Sequence, residues 1–173
     1  MTLDLELLEA IFTNEGNDLR SIAEQNCVML VFLRQFGCAF CREALDDVSD
    51  VKTELDQRKI KLVFVHLAEE NYGDIYLEKF GLKGEEHISD PDMSLYEYFG
   101  LQKGSFRELY GLKIWTRLAS LKFTSDVNAA YGNVKQMPGI FLIQKGEIIN
   151  SFIHKSAAER PDYLAIADFA YKT

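Results

Sequence analysis

The chain is poor in cysteine, proline and tryptophan. Its 173 residues include only three cysteines, three prolines and one tryptophan. Three cysteines are too few for a disulfide framework, which excludes a small secreted fold stapled by disulfides. No internal repeat, low-complexity tract or linker divides the sequence. With 47% hydrophobic and 27% charged residues it has a globular composition, and its length predicts one domain over residues 1–173.

Long hydrophobic runs are also missing. Arg34 interrupts the best candidate, Val28–Leu33, so no segment is long enough to cross a bilayer. The N-terminus is acidic and amphipathic, without the basic start and apolar stretch of a secretory signal. We therefore expect a cytoplasmic protein.

Positive charge is in deficit. The 19 Lys and Arg residues stand against 27 Asp and Glu residues, which gives a net charge of −8 and a pI near 4.9. An acidic surface repels nucleic acid and anionic membranes, and no basic stripe offsets this. We expect neither of them as a partner.

The first half of the chain is predicted to alternate strands and helices. Two short apolar runs, Val28–Leu33 and Lys61–His66, are typical of strands buried on both faces. Helical spacing follows each run, over residues 42–59 and 70–80. This order predicts a parallel α/β unit.

The other elements are predicted from weaker patterns. They are an amphipathic helix over residues 3–13, a helix over 93–99, one longer helix over 105–120 with Trp115 in the core, a loop over 124–136, and a closing helix over 161–171. Apolar runs over 139–143 and 148–153 flank a turn with Gly146, which predicts an antiparallel hairpin. The acidic pair Glu85-Glu86 is interpreted as solvated surface.

Two cysteines, Cys38 and Cys41, lie where the first strand is expected to turn into a helix. A helix N-terminus presents unpaired N–H groups and a partial positive charge, which favour the reactive thiolate. The two intervening residues keep the sulfurs within reach of each other, so the pair can close a disulfide after one thiol has reacted. The pattern predicts that both cysteines are catalytic.

The neighbours of the pair are predicted to form a substrate groove. Gly37 permits an unusual backbone angle at the turn. Arg42 adds a cation that favours thiolate, and Phe36 and Phe40 are expected to wall the sulfurs and restrict water. His66, at the end of the second strand, is a weaker candidate for a proton carrier.

Metal binding is the alternative interpretation of the pair. A structural zinc site needs four ligands, and only Cys27 and three histidines at irregular spacings remain. A two-coordinate soft-metal site on the pair stays open. Cys27 itself is expected to be an inert buried thiol. The redox interpretation is favoured, and no metal or cofactor is predicted.

Together with the hairpin, these residues resemble the thioredoxin superfamily. The stretch from Met137 and Pro138 to Glu147 is similar to the superfamily's segment around its cis-proline and the following strand. The resemblance implies an α/β fold with a thioredoxin-like mixed β-sheet flanked by helices. It also implies a cis bond between Met137 and Pro138, with both residues lining the substrate groove.

Within the superfamily, the chain is most similar to the peroxiredoxin-like branch of alkyl hydroperoxide reductase/thiol-specific antioxidant type. Residues 36–43, 89–101 and 154–162 carry this resemblance. It implies an oxidoreductase that acts on a hydroperoxide or disulfide substrate, is reset by a thioredoxin or glutathione-type reductant, and forms a homodimer. Residues 81–136 would be an inserted helical segment before the cis-proline hairpin.

Two departures from these families bear on mechanism. Peroxiredoxins carry the pattern P-x-x-x-T-x-x-C; with Cys41 in the last position, Arg34 replaces the proline and Cys38 replaces the threonine that helps to hold peroxide. The buried carboxylate of thioredoxins, six residues before the first cysteine, is Phe32 here, which removes the usual proton acceptor. The two alignments choose different nucleophiles, and we favour Cys38 for its place at the helix terminus.

Three functions stay open from the sequence. Peroxiredoxin-like antioxidant reduction of hydroperoxides is favoured because the resemblance is strongest there. A thioredoxin-type protein disulfide reductase is the first alternative, since the missing threonine weakens a peroxidase. A non-catalytic binding or sensor module of the same fold is the second.

Overall fold

The computed structural model describes residues 2–105, 108–109, 111–121 and 135–171. The strands are β1 (Cys27–Phe32), β2 (Ile60–His66), β3 (Glu86–Ser89), β4 (Gly139–Gln144) and β5 (Glu147–Ile153). The helices are α1 (Leu5–Glu9), α2 (Leu19–Gln25), α3 (Ala39–Gln57), α4 (Glu70–Lys79), α5 (Ser94–Tyr98), α6 (Leu112–Leu118) and α7 (Tyr163–Ala167), followed by a 3₁₀ turn (Asp168–Tyr171). None of the helices described is both long and apolar enough to cross a membrane.

The strands form one five-stranded mixed sheet in the order β3-β2-β1-β4-β5. β2 runs parallel to β1 and β3, whereas β4 runs antiparallel to β1 and β5. Phe32, the last residue of β1, pairs with Val65 on one side and Gly139 on the other. The predicted mixed sheet flanked by helices is confirmed, and the end of β1 lies between two other strands.

The central strand β1 is apolar along its length because helices cover both faces of the sheet. Side chains of α3, α4 and α7 pack on one face, and side chains of α1, α2 and α5 pack on the other. Every residue of β1 is buried. Burying one large aliphatic side chain stabilises a fold by about 1.5–3 kcal/mol, so the loop after β1 starts from a rigid strand.

The N-terminal helix is shorter than the predicted span of residues 3–13. It begins after Asp4, whose carboxylate accepts hydrogen bonds from the N–H groups of Glu6 (3.0 Å) and Leu7 (3.3 Å), and it has five residues. The chain then turns, and the Thr13 N–H donates to the Asn17 carbonyl (3.0 Å). The predicted length was wrong because turn-forming residues compete with the helix there.

Two elements, α2 and β3, carry no clear signal in the sequence. In β3 the predicted solvated residue Glu86 is only 6% exposed, so that prediction was wrong. Its carboxylate accepts a hydrogen bond from the Thr13 hydroxyl (2.5 Å) and pairs with the Lys61 ammonium (3.0 Å). The buried carboxylate is stabilised by partners that are distant in sequence, and no local sequence pattern predicts these contacts.

The predicted helix over residues 105–120 is interrupted. α6 begins only after Gly111, whose backbone is extended (φ −65°, ψ 168°). Trp115 is 64% exposed rather than in the core, whereas Ile114 beside it is buried. The predicted loop over residues 124–136 lies almost wholly outside the described residues.

The bond between Met137 and Pro138 is trans, since the described residues contain no cis peptide bond. The predicted cis bond is therefore wrong. Lys103 and Gln136 form an antiparallel bridge just before it, and the Met137 N–H donates to the Gln102 carbonyl (3.2 Å). A trans bond, which is favoured by about 0.5–1 kcal/mol, is compatible with this pairing.

Candidate active site

Cys38 is the residue at which the loop after β1 turns into α3. Its backbone is extended (φ −76°, ψ 127°), and its N–H donates to the Gln35 carbonyl (3.1 Å). It is the N-cap of a 19-residue helix, which confirms the predicted place of the pair at a strand-to-helix turn. The first-turn N–H groups of Phe40 and Cys41 favour negative charge on its sulfur.

Arg34 connects the two sulfurs to the segment before the hairpin. Its guanidinium donates through Nη1 to Cys38 Sγ (3.3 Å) and through Nε to the Gln136 carbonyl (3.1 Å). Its backbone N–H donates to Cys41 Sγ (3.3 Å). Arg34 is 7% exposed, and a buried cation of this kind favours an anion beside it.

The two thiols are free and differ in acidity. The pKa of Cys38 is lowered to about 6 by the hydrogen bond from Cys41, against the effect of burial, and Arg34 lowers it further. Burial raises the pKa of Cys41 well above its usual value, and the bond to the negative Cys38 sulfur adds to this. These opposite shifts favour a thiolate at Cys38 and a neutral thiol at Cys41.

An apolar cover lies over the pair. We call this group the cover; it comprises Phe40, Leu109, Ile114, Met137 and Ala157. Beneath it Cys38 is 8% exposed and Cys41 4% exposed. An ion pair between Arg117 of α6 and Glu43 of α3 (2.7 Å) ties the inserted segment to the helix that carries the cysteines. The inserted segment therefore helps to exclude water from the sulfurs.

A small cleft of about 20 Å³ lies against Cys41. It is bordered by the last residues of β1, the first turns of α3, the start of β4 and the loop after β5. Its lining includes Phe32, Cys41, Pro138, His154, Glu159 and Tyr163. The cleft thus connects one sulfur of the pair with a histidine, a carboxylate and a phenol.

The structure brings most of the predicted groove residues to the pair. Phe40 and Met137 belong to the cover, and Pro138 lines the cleft. Arg42 follows Cys41 in the first turn of α3, but the guanidinium that donates to Cys38 belongs to Arg34.

Two neighbours of the pair differ from their predicted roles. Phe36 stacks on Tyr76 (4.5 Å between ring centroids) and belongs to the main core rather than to the cluster that contains the cysteines. Gly37 is not among the residues with positive φ. Its predicted unusual backbone angle is therefore wrong, because the turn is made without the left-handed region.

Sequence reasoning missed Arg34, Tyr96 and His154 as site residues. The Tyr96 hydroxyl donates to the Leu33 carbonyl and lies 3.1 Å from the Val65 carbonyl oxygen, so it holds together the ends of β1 and β2. A signal existed for Arg34, which is a cation between a buried strand and a cysteine. Tyr96 and His154 lie in stretches that carry the family resemblance, but no pattern there marked them as residues of the site.

His66 belongs to a second polar cluster, formed with Asn14, Asp74 and His87. Its Nε2 lies 3.0 Å from Nδ1 of His87, whose Nε2 lies 3.2 Å from Oδ1 of Asp74. Burial lowers the pKa of His66 to about 3, and His87 adds to this effect. His66 is neutral, and its role as a proton carrier stays a prediction.

Metal ligands do not gather in the part of the chain that is described: no group of three or more His, Cys, Asp or Glu side chains there is placed to hold an ion. Cys27 is buried, and burial raises its pKa to about 11, as expected for an inert thiol.

Comparison with known sequences finds a matching family model and similar proteins. The model of a family described as AhpC/TSA antioxidant enzyme matches residues 47–156. Prostamide/prostaglandin F synthase of Xenopus tropicalis is 24% identical over 159 residues, which cover 88% of this chain and 78% of the relative. The Homo sapiens protein of the same name is 26% identical over 160 residues, which cover 88% and 79%.

Solved structures share the fold. Peroxiredoxin Q of Xanthomonas campestris superposes with a TM-score of 0.64 at 17% identity, over 98% of this chain and 94% of that one. A peroxiredoxin-like protein from Aquifex aeolicus gives a TM-score of 0.61 at 11% identity, over 94% and 81%. The family model covers more than half of the sequence. The chain thus belongs to the AhpC/TSA antioxidant enzyme family and has the fold of thioredoxin-superfamily peroxiredoxins.

Proposed function

We propose that this protein is a thiol peroxidase in which Cys38 is the nucleophile and Cys41 the resolving thiol. The Cys38 thiolate attacks a hydroperoxide oxygen, the O–O bond breaks, and Cys38 becomes a sulfenic acid while the departing alkoxide takes a proton from water to leave as the alcohol. Cys41 then attacks the sulfenic sulfur, which forms the disulfide and releases water. A thioredoxin or glutathione-type reductant returns both sulfurs to thiols.

One observation carries this proposal: the buried Arg34 guanidinium lies 3.3 Å from Cys38 Sγ. It favours the thiolate form of Cys38, which is the form that attacks peroxide. It also supplies charged N–H donors close to where the leaving oxygen develops negative charge. These donors can replace the hydroxyl that the chain lacks at the usual threonine position.

We further infer that organic hydroperoxides are preferred to hydrogen peroxide. The cover above the sulfurs is apolar, so a substrate with a hydrocarbon part gains free energy by contacting it. The relatives' name, prostamide/prostaglandin F synthase, supports an apolar substrate, because such molecules are hydrocarbon over most of their length.

Stopped-flow oxidation of the reduced protein by one equivalent of cumene hydroperoxide tests the assignment. Wild type should react orders of magnitude faster than free cysteine, and Cys38→Ser should lose this phase. Cys41→Ser should keep the phase and accumulate sulfenic acid, while the control Cys27→Ser should match wild type. If wild type is no faster than free cysteine, the peroxidase proposal fails, and disulfide exchange becomes the function to test.

The preference for organic substrates is tested by comparing second-order rate constants for cumene hydroperoxide and hydrogen peroxide. We expect cumene hydroperoxide to react at least about tenfold faster, which corresponds to about 1.4 kcal/mol. Equal rate constants would contradict the inference about the substrate and leave the thiol chemistry untouched. The reductant, the cytoplasmic location and the homodimer stay predictions.

A further inference from the structure

In the proposed resolving step, Cys41 must give up a proton as it attacks, before the departing hydroxide can take that proton up. In the reduced protein, the Cys41 thiol donates its hydrogen bond to the Cys38 sulfur. Once Cys38 carries a sulfenic acid, that anionic acceptor no longer exists. Cys41 must nevertheless lose its proton to become a nucleophile, and it is only 4% exposed to water.

The groups nearest to the Cys41 sulfur are those that line the cleft. Arg34 is a cation and accepts no proton. Burial raises the pKa of Tyr163, so this phenol stays protonated. The Glu159 carboxylate already accepts the Lys155 N–H (2.7 Å) and closes the turn that follows β5. Phe32, at the position of the thioredoxin carboxylate, offers no polar atom.

His154 is the remaining group in the cleft lining that can accept a proton. Its Nδ1 is buried and has no hydrogen-bond partner among the described residues. The Pro138 carbonyl lies close enough to raise the His154 pKa, and the Phe152 ring packs edge-on against the imidazole (4.9 Å between centroids). These contacts favour a proton on Nε2 and leave the Nδ1 lone pair free.

Burial lowers the pKa of His154 to about 4, although Glu159 and Pro138 raise it. The ring is therefore neutral throughout the physiological pH range. Once it has accepted a proton, a ring of such low pKa readily gives that proton to the departing hydroxide. The cleft also has room for a water molecule that can bridge the imidazole and the sulfur.

We propose that His154 is the proton acceptor of the resolving step. As Cys41 Sγ bonds to Cys38 Sγ, the S–O bond of the sulfenic acid breaks. The Cys41 proton passes to His154 Nδ1, directly or through one water, and then joins the departing hydroxide as water. The sum is one thiol plus one sulfenic acid giving one disulfide plus water. This inference rests on the proposed peroxidase function, of which it is the second step.

The test separates the two steps in time. Reduced wild type, His154→Gln and Glu159→Gln are each mixed with one equivalent of cumene hydroperoxide. Samples are quenched with dimedone, which labels the sulfenic acid. The labelled sulfenic acid and the disulfide are then quantified by mass spectrometry. We expect His154→Gln to keep the wild-type rate of sulfenic acid formation but to close the disulfide about 100-fold more slowly at pH 7. Glu159→Gln should slow it far less than His154→Gln does, because this carboxylate acts only by raising the pKa of the ring.

The pH dependence and a rescue experiment distinguish proton acceptance from packing. The rate of disulfide formation in wild type should not change between about pH 6 and 8, because His154 stays neutral there. In His154→Gln this rate should rise about tenfold per pH unit, as the fraction of Cys41 thiolate increases. Added imidazole should accelerate closure in His154→Gly and leave wild type unchanged.

Two results overturn the inference: a closure rate in His154→Gln equal to that of wild type, or slow closure that imidazole does not rescue and pH does not change. Equal slowing in Glu159→Gln would also overturn it, because the carboxylate would then share the role. Failure of the proposed function looks different, since wild type would then form no sulfenic acid in the fast phase.

Discussion

Two buried polar clusters lie at the same edge of the sheet, where the parallel strands β1 and β2 end. The thiol cluster contains Arg34, Cys38 and Cys41, and the histidine cluster contains His66 and His87 with Asn14 and Asp74. In the histidine cluster the neutral His66 ring hydrogen-bonds to His87. In the thiol cluster a fixed cation faces an ionised sulfur.

The difference shows how burial separates structural from reactive polar groups. Burial makes the His66 ring neutral, and its Nε2 hydrogen-bonds to Nδ1 of His87. Burial would make Cys38 neutral as well, but Cys41, Arg34 and the helix terminus overcome that effect. Polar groups that satisfy each other stabilise the fold, whereas a charge held by a helix terminus and a cation is available for chemistry.

The largest expected effect is on the histidine cluster. A Cβ added at Gly73 would lie 2.3 Å from His87 Cε1 and 2.7 Å from His66 Nε2, and both rings are fully buried. We expect Gly73→Ala to lower the free energy of unfolding in urea by about 3 kcal/mol. Asn71→Ala, on the exposed side of the same helix, should change it by less than about 0.5 kcal/mol. The peroxide reactivity of the folded Gly73→Ala protein should stay close to that of wild type. A loss as large as that expected below for Arg34→Met would show that the histidine cluster is not purely structural.

The next effect is on the thiol cluster. Arg34→Met removes the donor 3.3 Å from Cys38 Sγ, so the Cys38 pKa should rise from about 6 towards the usual value of a thiol. The thiolate fraction and the peroxide rate at pH 7 should then fall by about 10- to 100-fold. Thiolate absorbance at 240 nm across a pH titration measures the shift. Arg42→Met should have a smaller effect, and an equal effect would restore Arg42 to the role predicted from the sequence.

Acid should destabilise the protein through His66. Its folded-state pKa is about 3, below the value of 6.5 expected for an exposed histidine, so between these pH values the unfolded chain binds a proton that the folded chain does not. The free energy of unfolding should therefore fall as pH drops through this window, with His66 contributing about 1.4 kcal/mol per pH unit. Urea unfolding from pH 7 to 4 measures the slope, and an unchanged slope in His66→Gln would contradict this assignment.

The smallest effect concerns the ion pair that ties the cover to α3. Arg117→Met breaks its bond to Glu43 and should lower the free energy of unfolding by at most about 1 kcal/mol, because the pair is partly solvated. Alkylation of Cys38 by a maleimide should accelerate by up to about fivefold as the cover opens more often. Arg160→Met, which breaks an ion pair farther along α3 with Asp47, should leave alkylation unchanged.

The elements that the sequence predicts well are those whose signal is local. β1, β2 and the long helix α3 follow from continuous apolar runs and helical spacing, and the strand-to-helix turn that carries Cys38 follows from their order. β3 has no such pattern, because its buried Glu86 depends on partners far away in the chain. The break at Gly111 and the trans Met137–Pro138 bond likewise depend on tertiary pairing.

The site shows the same division. Both cysteines are predictable from their spacing and position, but the contacts of Arg34 depend on a loop more than a hundred residues away, at Gln136. The direction of a long side chain next to a strand is not encoded in the adjacent residues. His154 enters the site only because the turn after β5 folds back over Cys41.

The contact between Arg34 and Cys38 also bears on redox equilibrium. A disulfide carries no charge, so oxidation of the pair removes the anion beside a guanidinium that is only 7% exposed. The contact therefore stabilises the dithiol relative to the disulfide, and we expect a reduction potential less negative than that of a pair without such a cation. The disulfide should be correspondingly easy for a cellular thiol donor to reduce. Arg34 would then favour both the attack of Cys38 on peroxide and the later reduction of the disulfide.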